Sequence, residues 1–219
     1  TPLLVQLFIS GMNSALTPWM YSKIKKGDIR SMRKVLQLLS VVVVGIAVAL
    51  MLISPELVLI FGSPKYREAV YVIPPVAASV FFIFIYNILS MPQFYYEKTQ
   101  FLMAASMAAA GANVVLNFIF IRLFGYIAAG YTTLACYMLY SVGHYIVSKR
   151  ILVNEGIQEN LMSPGFLVAC SVFLIGASII CNLIFPYRIL RYAILLASAG
   201  LVFWKKELLL KTMADIRKK

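Results

Sequence analysis

Charge is scarce in this chain. Of 219 residues only 13% are charged, with eight acids and a single histidine. That is about half the charged fraction of a soluble domain. The shortage removes whole classes of chemistry. No helix-length run carries two acids or a His-x-x-Glu pair suited to a metal, so no metal site is expected. The one glycine-flanked turn, Gly125 to Tyr131, lacks the Gly-Lys-Ser/Thr ending of a phosphate loop and lies between apolar runs, which excludes an ATPase site. Cysteine is also rare. Cys136, Cys170 and Cys181 all lie inside apolar runs without metal-ligand spacing, and they read as small packed residues rather than a disulfide framework. Long polar loops are missing too. The longest is Ser148 to Leu161, too short for a catalytic domain. No catalytic residue and no cofactor are expected.

What is present is apolar surface: 62% of residues are hydrophobic and the mean hydropathy is +0.87. The apolar runs are continuous and about 20 residues long, as membrane-spanning helices require, and they lack the period-two alternation of an outer-membrane barrel. The fold class is therefore all-α, a polytopic membrane helical bundle. Seven spans are expected: Thr1 to about Tyr21, Val35–Ile53, about Ala69–Phe94, Phe101–Ile121, Tyr126–Val147, Gly165–Phe185 and Ile189–Trp204. The first apolar run starts at Thr1 with no charged leader, so the chain reads as a C-terminal fragment whose first helix is truncated. Ser54-Pro55-Glu56 and Ser63-Pro64 are helix-start signals for short segments between spans two and three. The chain divides into a five-span bundle over 1–150, two peripheral helices over 151–204 and a basic tail over 205–219, where Leu209, Met213 and Ile216 share one side.

Four spans carry polar residues at helical spacing. Span one has Gln6, Ser10, Asn13 and Thr17; span three has Ser79, Tyr86, Ser90, Gln93 and, just past it, Glu97. Span four has Asn113 and Asn117, and span five has Thr133, Tyr137, Tyr140 and His144. An amide at membrane depth needs a partner or water. Gln93 to Thr133 is therefore expected to organise the chain, with the striped helices converging around it. Candidate contact residues are Asn13, Thr17, Tyr86, Asn113, Asn117, Tyr137 and Tyr140. For the asparagines, interhelical bonding and cavity lining both stand open. Glu97, Arg122 and His144 are candidate gating or anion-attracting groups, against plainer roles as a solvated turn, a snorkelling cation and a helix-end residue. Span four also has Ala104, Ala108 and Ala112 at i+4 steps, which permit a close helix approach.

The net charge of +12 sits in loops and at the tail, with no aromatic-basic surface for a nucleic acid. Loops 23–34, 95–100, 148–161 and 205–219 hold fifteen of the 20 Lys and Arg, and the alternate loops hold five. The positive-inside rule then puts the first set, and the C-terminus, in the cytoplasm.

NSALTPWMYSKIKKGD, SPELVLIFGSPKYREAVYVIPPVA, FYYEKT and NVVLNFIFIRLFGYIAAGYTTLACY resemble the C-terminal half of a Wzx-type polysaccharide flippase. That family belongs to the multidrug/oligosaccharidyl-lipid/polysaccharide exporter superfamily and is related to the MATE antiporters. The resemblance covers about residues 1 to 150; the last two spans match by number and position. It implies a six-helix-type bundle with two added helices, and a missing N-terminal half as partner. It also implies transport of an undecaprenyl-pyrophosphate-linked oligosaccharide across the bacterial inner membrane for surface polysaccharide such as O-antigen or lipopolysaccharide. Partners would be that lipid-linked oligosaccharide and membrane lipids. The family is expected to hold cations in the lumen for the pyrophosphate, and no mid-membrane Lys or Arg occurs here. A cation-coupled multidrug antiporter and a membrane-embedded enzyme of the polysaccharide pathway are the alternatives. Amide and tyrosine stripes suit sugar hydroxyls better than an apolar cation.

Overall fold

In the computed structural model, the structure describes residues 2–61 and 64–204, with side chains over 11–60 and 68–197. The basic tail 205–219 lies outside the described residues. Among the described residues the chain is all helical. The elements are α1 (Pro2–Lys25), α2 (Ile29–Leu52), α3 (Ser54–Phe61), a 3-10 helix (Pro64–Val72), α4 (Ile73–Tyr95), α5 (Gln100–Phe124), α6 (Ala128–Asn154), α7 (Pro164–Ile184) and α8 (Arg188–Trp204).

Local chemistry explains most of the boundaries. Gly27 takes φ 67° in the turn after α1, and the Asp28 carboxylate caps α2 by accepting from the Ser31 amide at 3.3 Å. Pro74 and Pro75 stand in the first turn of α4, where a missing amide costs nothing. The expected break in span three is thus a change from 3-10 to α geometry at Ile73, and α4 runs on through Pro92 to Tyr95. One expected boundary moves: Ser148 to Asn154, read as linker, continues α6. Its residues alternate around the helix, so that Ser148, Ile151 and Leu152 are buried while Lys149 and Arg150 stay out. A polar flank in the sequence concealed about two amphipathic last turns.

Among the described residues four helical stretches are long and apolar enough to cross a membrane: Ile29–Leu52, Glu68–Tyr95, Gln100–Phe124 and Pro164–Ile184. α8 has 17 residues, and the apolar run of α6 is broken by its tyrosines, serines and histidine.

The core sits on α4. Phe81, Phe84, Ile85, Ile88 and Leu89 of α4 are fully buried with Met20 of α1, Met32 and Leu36 of α2 and Leu152 of α6. α4 packs on α6, α2, α7 and α1, whereas α5 packs on α6 and buries none of its own residues. The organising element is therefore α4, not the Gln93–Thr133 hairpin. Polar density in the hairpin drew attention to it; α4 is central because it is apolar on nearly every face. The start of α6 lies tight against the start of α4 at Gly130, where a Cβ would lie 2.7 Å from Pro75 Cγ and 2.9 Å from the Val72 carbonyl oxygen.

Polar contacts gather the loops into two ends. At one end Lys98 pairs with Glu155 at 3.0 Å, and Arg33 Nε donates to the Asn160 carbonyl at 2.7 Å. At the other, Tyr126 donates to the Glu68 carboxylate at 3.2 Å, and Arg191 grips Glu56 with two bonds of 2.8 and 2.9 Å.

Candidate functional site: a polar and aromatic seam on α4, α5 and α6

α5 and α6 run antiparallel, so residues ascending one meet residues descending the other. The seam begins near the α5–α6 turn. Thr132 donates to Asn117 Oδ1 at 2.5 Å, and Asn117 Nδ2 donates to Asn113 Oδ1 at 2.9 Å. About three helical turns along, Ser106 of α5 and Tyr140 of α6 share a hydroxyl bond of 2.8 Å. Near the other end of α5, the Phe101 ring meets the His144 ring edge-on at 5.4 Å, above Gly143.

Tyrosines from two helices form the centre. Tyr86 of α4 lies parallel to Tyr137 of α6 with ring centroids 6.3 Å apart, and it tilts against Tyr140 at 4.7 Å. All three rings are partly exposed. Their helices carry them at i+3 on α6 and on the α6-facing side of α4, so the stripes read from the sequence become neighbours. A ring face that is neither buried nor hydrogen-bonded can stack on a planar or pyranose surface, while the hydroxyl bonds to it.

His144 is fully buried beneath this cluster. Its Nδ1 lies 2.8 Å from Gln93 Nε2, whose amide also donates to the Leu89 carbonyl at 3.3 Å. His144 Nε2 and Gln93 Oε1 have no partner among the described residues. The histidine is thus bonded between α4 and α6 rather than standing free at a helix end.

The other candidates lie elsewhere. Thr17 donates to the Asn13 carbonyl at 2.7 Å and touches Met91 Sδ at 3.7 Å, which places this pair where α1 meets α4. Asn13 Oδ1 is buried without a partner there. The Arg122 guanidinium lies 3.8 Å over the Phe118 ring, on the exposed far end of α5. Glu97 is exposed in the α4–α5 turn with φ 56°; its neighbour Lys98 makes the ion pair. Among the described residues no group of three or more His, Cys, Asp or Glu could hold a metal.

Sequence reasoning missed Ser106, Thr132 and the role of Gln93. The signal for the first two was present. Ser106, Asn113 and Asn117 follow i+7 and i+4 steps, and Thr132 lies eight residues before Tyr140 on the same face of α6. Small hydroxyls in apolar runs were simply overshadowed by the amides. Comparisons with protein-family models, curated proteins and solved structures give no match to this chain.

Proposed function

We propose that the chain is part of a membrane transporter that moves a lipid-linked oligosaccharide across the bacterial inner membrane, with its C-terminus in the cytoplasm. All seven long helices, α1, α2 and α4 to α8, would then cross the bilayer. The observation that carries this reading is the half-exposed Tyr86–Tyr137–Tyr140 cluster, continued along α5 by Ser106, Asn113 and Asn117 within a helix long and apolar enough to span a membrane. Amide and hydroxyl groups at that depth, beside open aromatic faces, suit a sugar that must shed its water in passing. Asn113 keeps both amide hydrogens for a ligand, whereas Asn117 spends its amide on Asn113 and Thr132.

The test is export of surface polysaccharide by cells carrying Tyr86→Leu or Tyr137→Leu. Loss of a stacking face is worth about 0.5–1.5 kcal/mol, so export should fall about two- to tenfold at unchanged protein level. Unchanged export in both variants would remove the cluster from the transport path. Open tyrosine faces also favour an organic cation, which supports the multidrug antiporter as second reading. In that case the same variants would lose resistance to ethidium and keep polysaccharide export.

A further inference from the structure

We propose that His144 is a proton-operated latch that sets whether α5 stays docked on α6. The latch does not depend on which cargo is carried.

Three observations lead to it. First, α5 is held from one side. Among the described residues it buries none of its own, its extensive packing is against α6, and its polar ties to α6 are the Asn117–Thr132 and Ser106–Tyr140 bonds. Second, Tyr140 touches both the tie and the histidine. Its hydroxyl bonds Ser106, and its ring stands perpendicular to His144 at a centroid distance of 4.5 Å, nearer than Tyr86 at 5.9 Å. Third, the histidine sits close to the aqueous end of the bundle. Its partner Gln93 is two residues from the end of α4, and Phe101 is the second residue of α5. A proton has a short way to travel.

The chemistry of the pair makes it two-state. In the structure Gln93 donates to Nδ1, so the neutral ring carries its proton on Nε2. A proton arriving from water adds to Nδ1 and turns that acceptor into a donor. Gln93 Nε2 can then no longer bond to it, but Gln93 Oε1 is buried without a partner and can accept once the amide turns over. The Nε2–H, partnerless while the ring is neutral, becomes part of a cation, and leaving it without an oxygen then costs much more. Tyr140 carries the hydroxyl on the closest ring, and swinging it toward the histidine breaks the Ser106 bond. The groups facing the ring are Gln93 and Tyr86 from α4, Tyr140 from α6 and Phe101 from α5. Among the described residues no carboxylate bonds it. At that end of the bundle Lys98 and Glu155 pair with each other and Glu97 stays exposed in the turn. A charge placed among these rings is relieved by rearrangement, not by a waiting counter-ion.

Spin labels on exposed Val41 of α2 and Met107 of α5, in the chain with Cys136, Cys170 and Cys181 changed to alanine, report the position of α5 by electron–electron double resonance. In lipid nanodiscs, lowering the pH from about 8 to about 4, which reaches below the ordinary histidine interval because charging a ring buried away from any carboxylate is costly, should add a second distance population. It should be displaced by roughly 5 Å, the size of a one-turn shift. His144→Gln should keep a single population throughout. Ser106→Ala, an exposed position, should show the second population already at the higher pH. A distribution that ignores pH, one that shifts equally in His144→Gln, or a Ser106→Ala chain identical to the parent at the higher pH would each overturn the latch.

Discussion

A charge buried near a membrane surface is informative only together with its partner. Arg191 was counted in the sequence as one of five cations on the less basic side. In the structure it is 3% exposed, holds both carboxylate oxygens of Glu56 and donates to the Leu52 carbonyl. It is a fastener between α8 and the α2–α3 corner, not a surface charge. Glu56 lies outside the membrane spans, and the guanidinium bonds hold its carboxyl below the ordinary value of 4.5. A depressed carboxyl contributes its stabilisation fully above the unfolded pKa, and the contribution fades as pH falls through the folded value. Glu56→Gln should therefore cost about 3 kcal/mol at neutral pH, because Arg191 is left buried without its counter-ion. The gap between the variant and the parent should shrink on acidification below pH 4.5. Thermal unfolding in detergent at a series of pH values measures it, and a gap that is constant with pH would mean that the charge on Glu56 contributes nothing.

At the level of helices, the sequence announced most of what formed and hid where it went. Apolar runs and proline or glycine punctuation located each α-helix found among the described residues, since backbone groups in an apolar run have no partner except their own helix. Helix order in space was not legible, because α4 and α5 have similar apolar content and only packing separates the largely buried one from the one with no buried residue. Stripes were half legible. Tyr86, Tyr137 and Tyr140 do meet, since α4 and α6 pack face to face, but Asn13 and Thr17 stop at the α1–α4 contact. The deciding contact was a glycine that the stripes could not reveal. Gly130 lets the start of α6 lie against Val72 and Pro75, and that crossing aims Tyr137 and Tyr140 at Tyr86. In Gly130→Ala the new methyl meets ring and backbone atoms that cannot swing away. The expected cost is about 1–3 kcal/mol, seen as a lower unfolding temperature, with Gly143→Ala milder because its Cβ would face only the Phe101 side chain at 3.3 Å. Equal effects of the two would mean that the helix crossing is not fixed at Gly130.

For the molecule as a whole, the structure supplies the grouping of loops and the sequence supplies their charge. Arg33–Asn160 and Lys98–Glu155 join the α1–α2, α4–α5 and α6–α7 connections at one end. Glu56–Arg191 and Glu68–Tyr126 join the remaining connections at the other. Within residues 2–204 the first end holds nine Lys and Arg and the second five, one of which is the neutralised Arg191. Loop cations are retained on the cytoplasmic side, so the first end is expected there. In a chain stripped of its native cysteines, Lys26→Cys should react with an impermeant maleimide only after cells are opened, and Tyr187→Cys should react in intact cells. Both positions are exposed. Glu159→Cys tests the least apolar link in the path. α6 is interrupted by tyrosines, serines and a histidine, and its crossing depends on packing against α4 and α5 rather than on its own hydropathy. If α6 crosses, Glu159→Cys behaves like Lys26→Cys. If instead Glu159→Cys reacts in intact cells and Tyr187→Cys only after cells are opened, α6 does not cross while α7 still does, the seam lies at a membrane surface, and the transport path along it is lost.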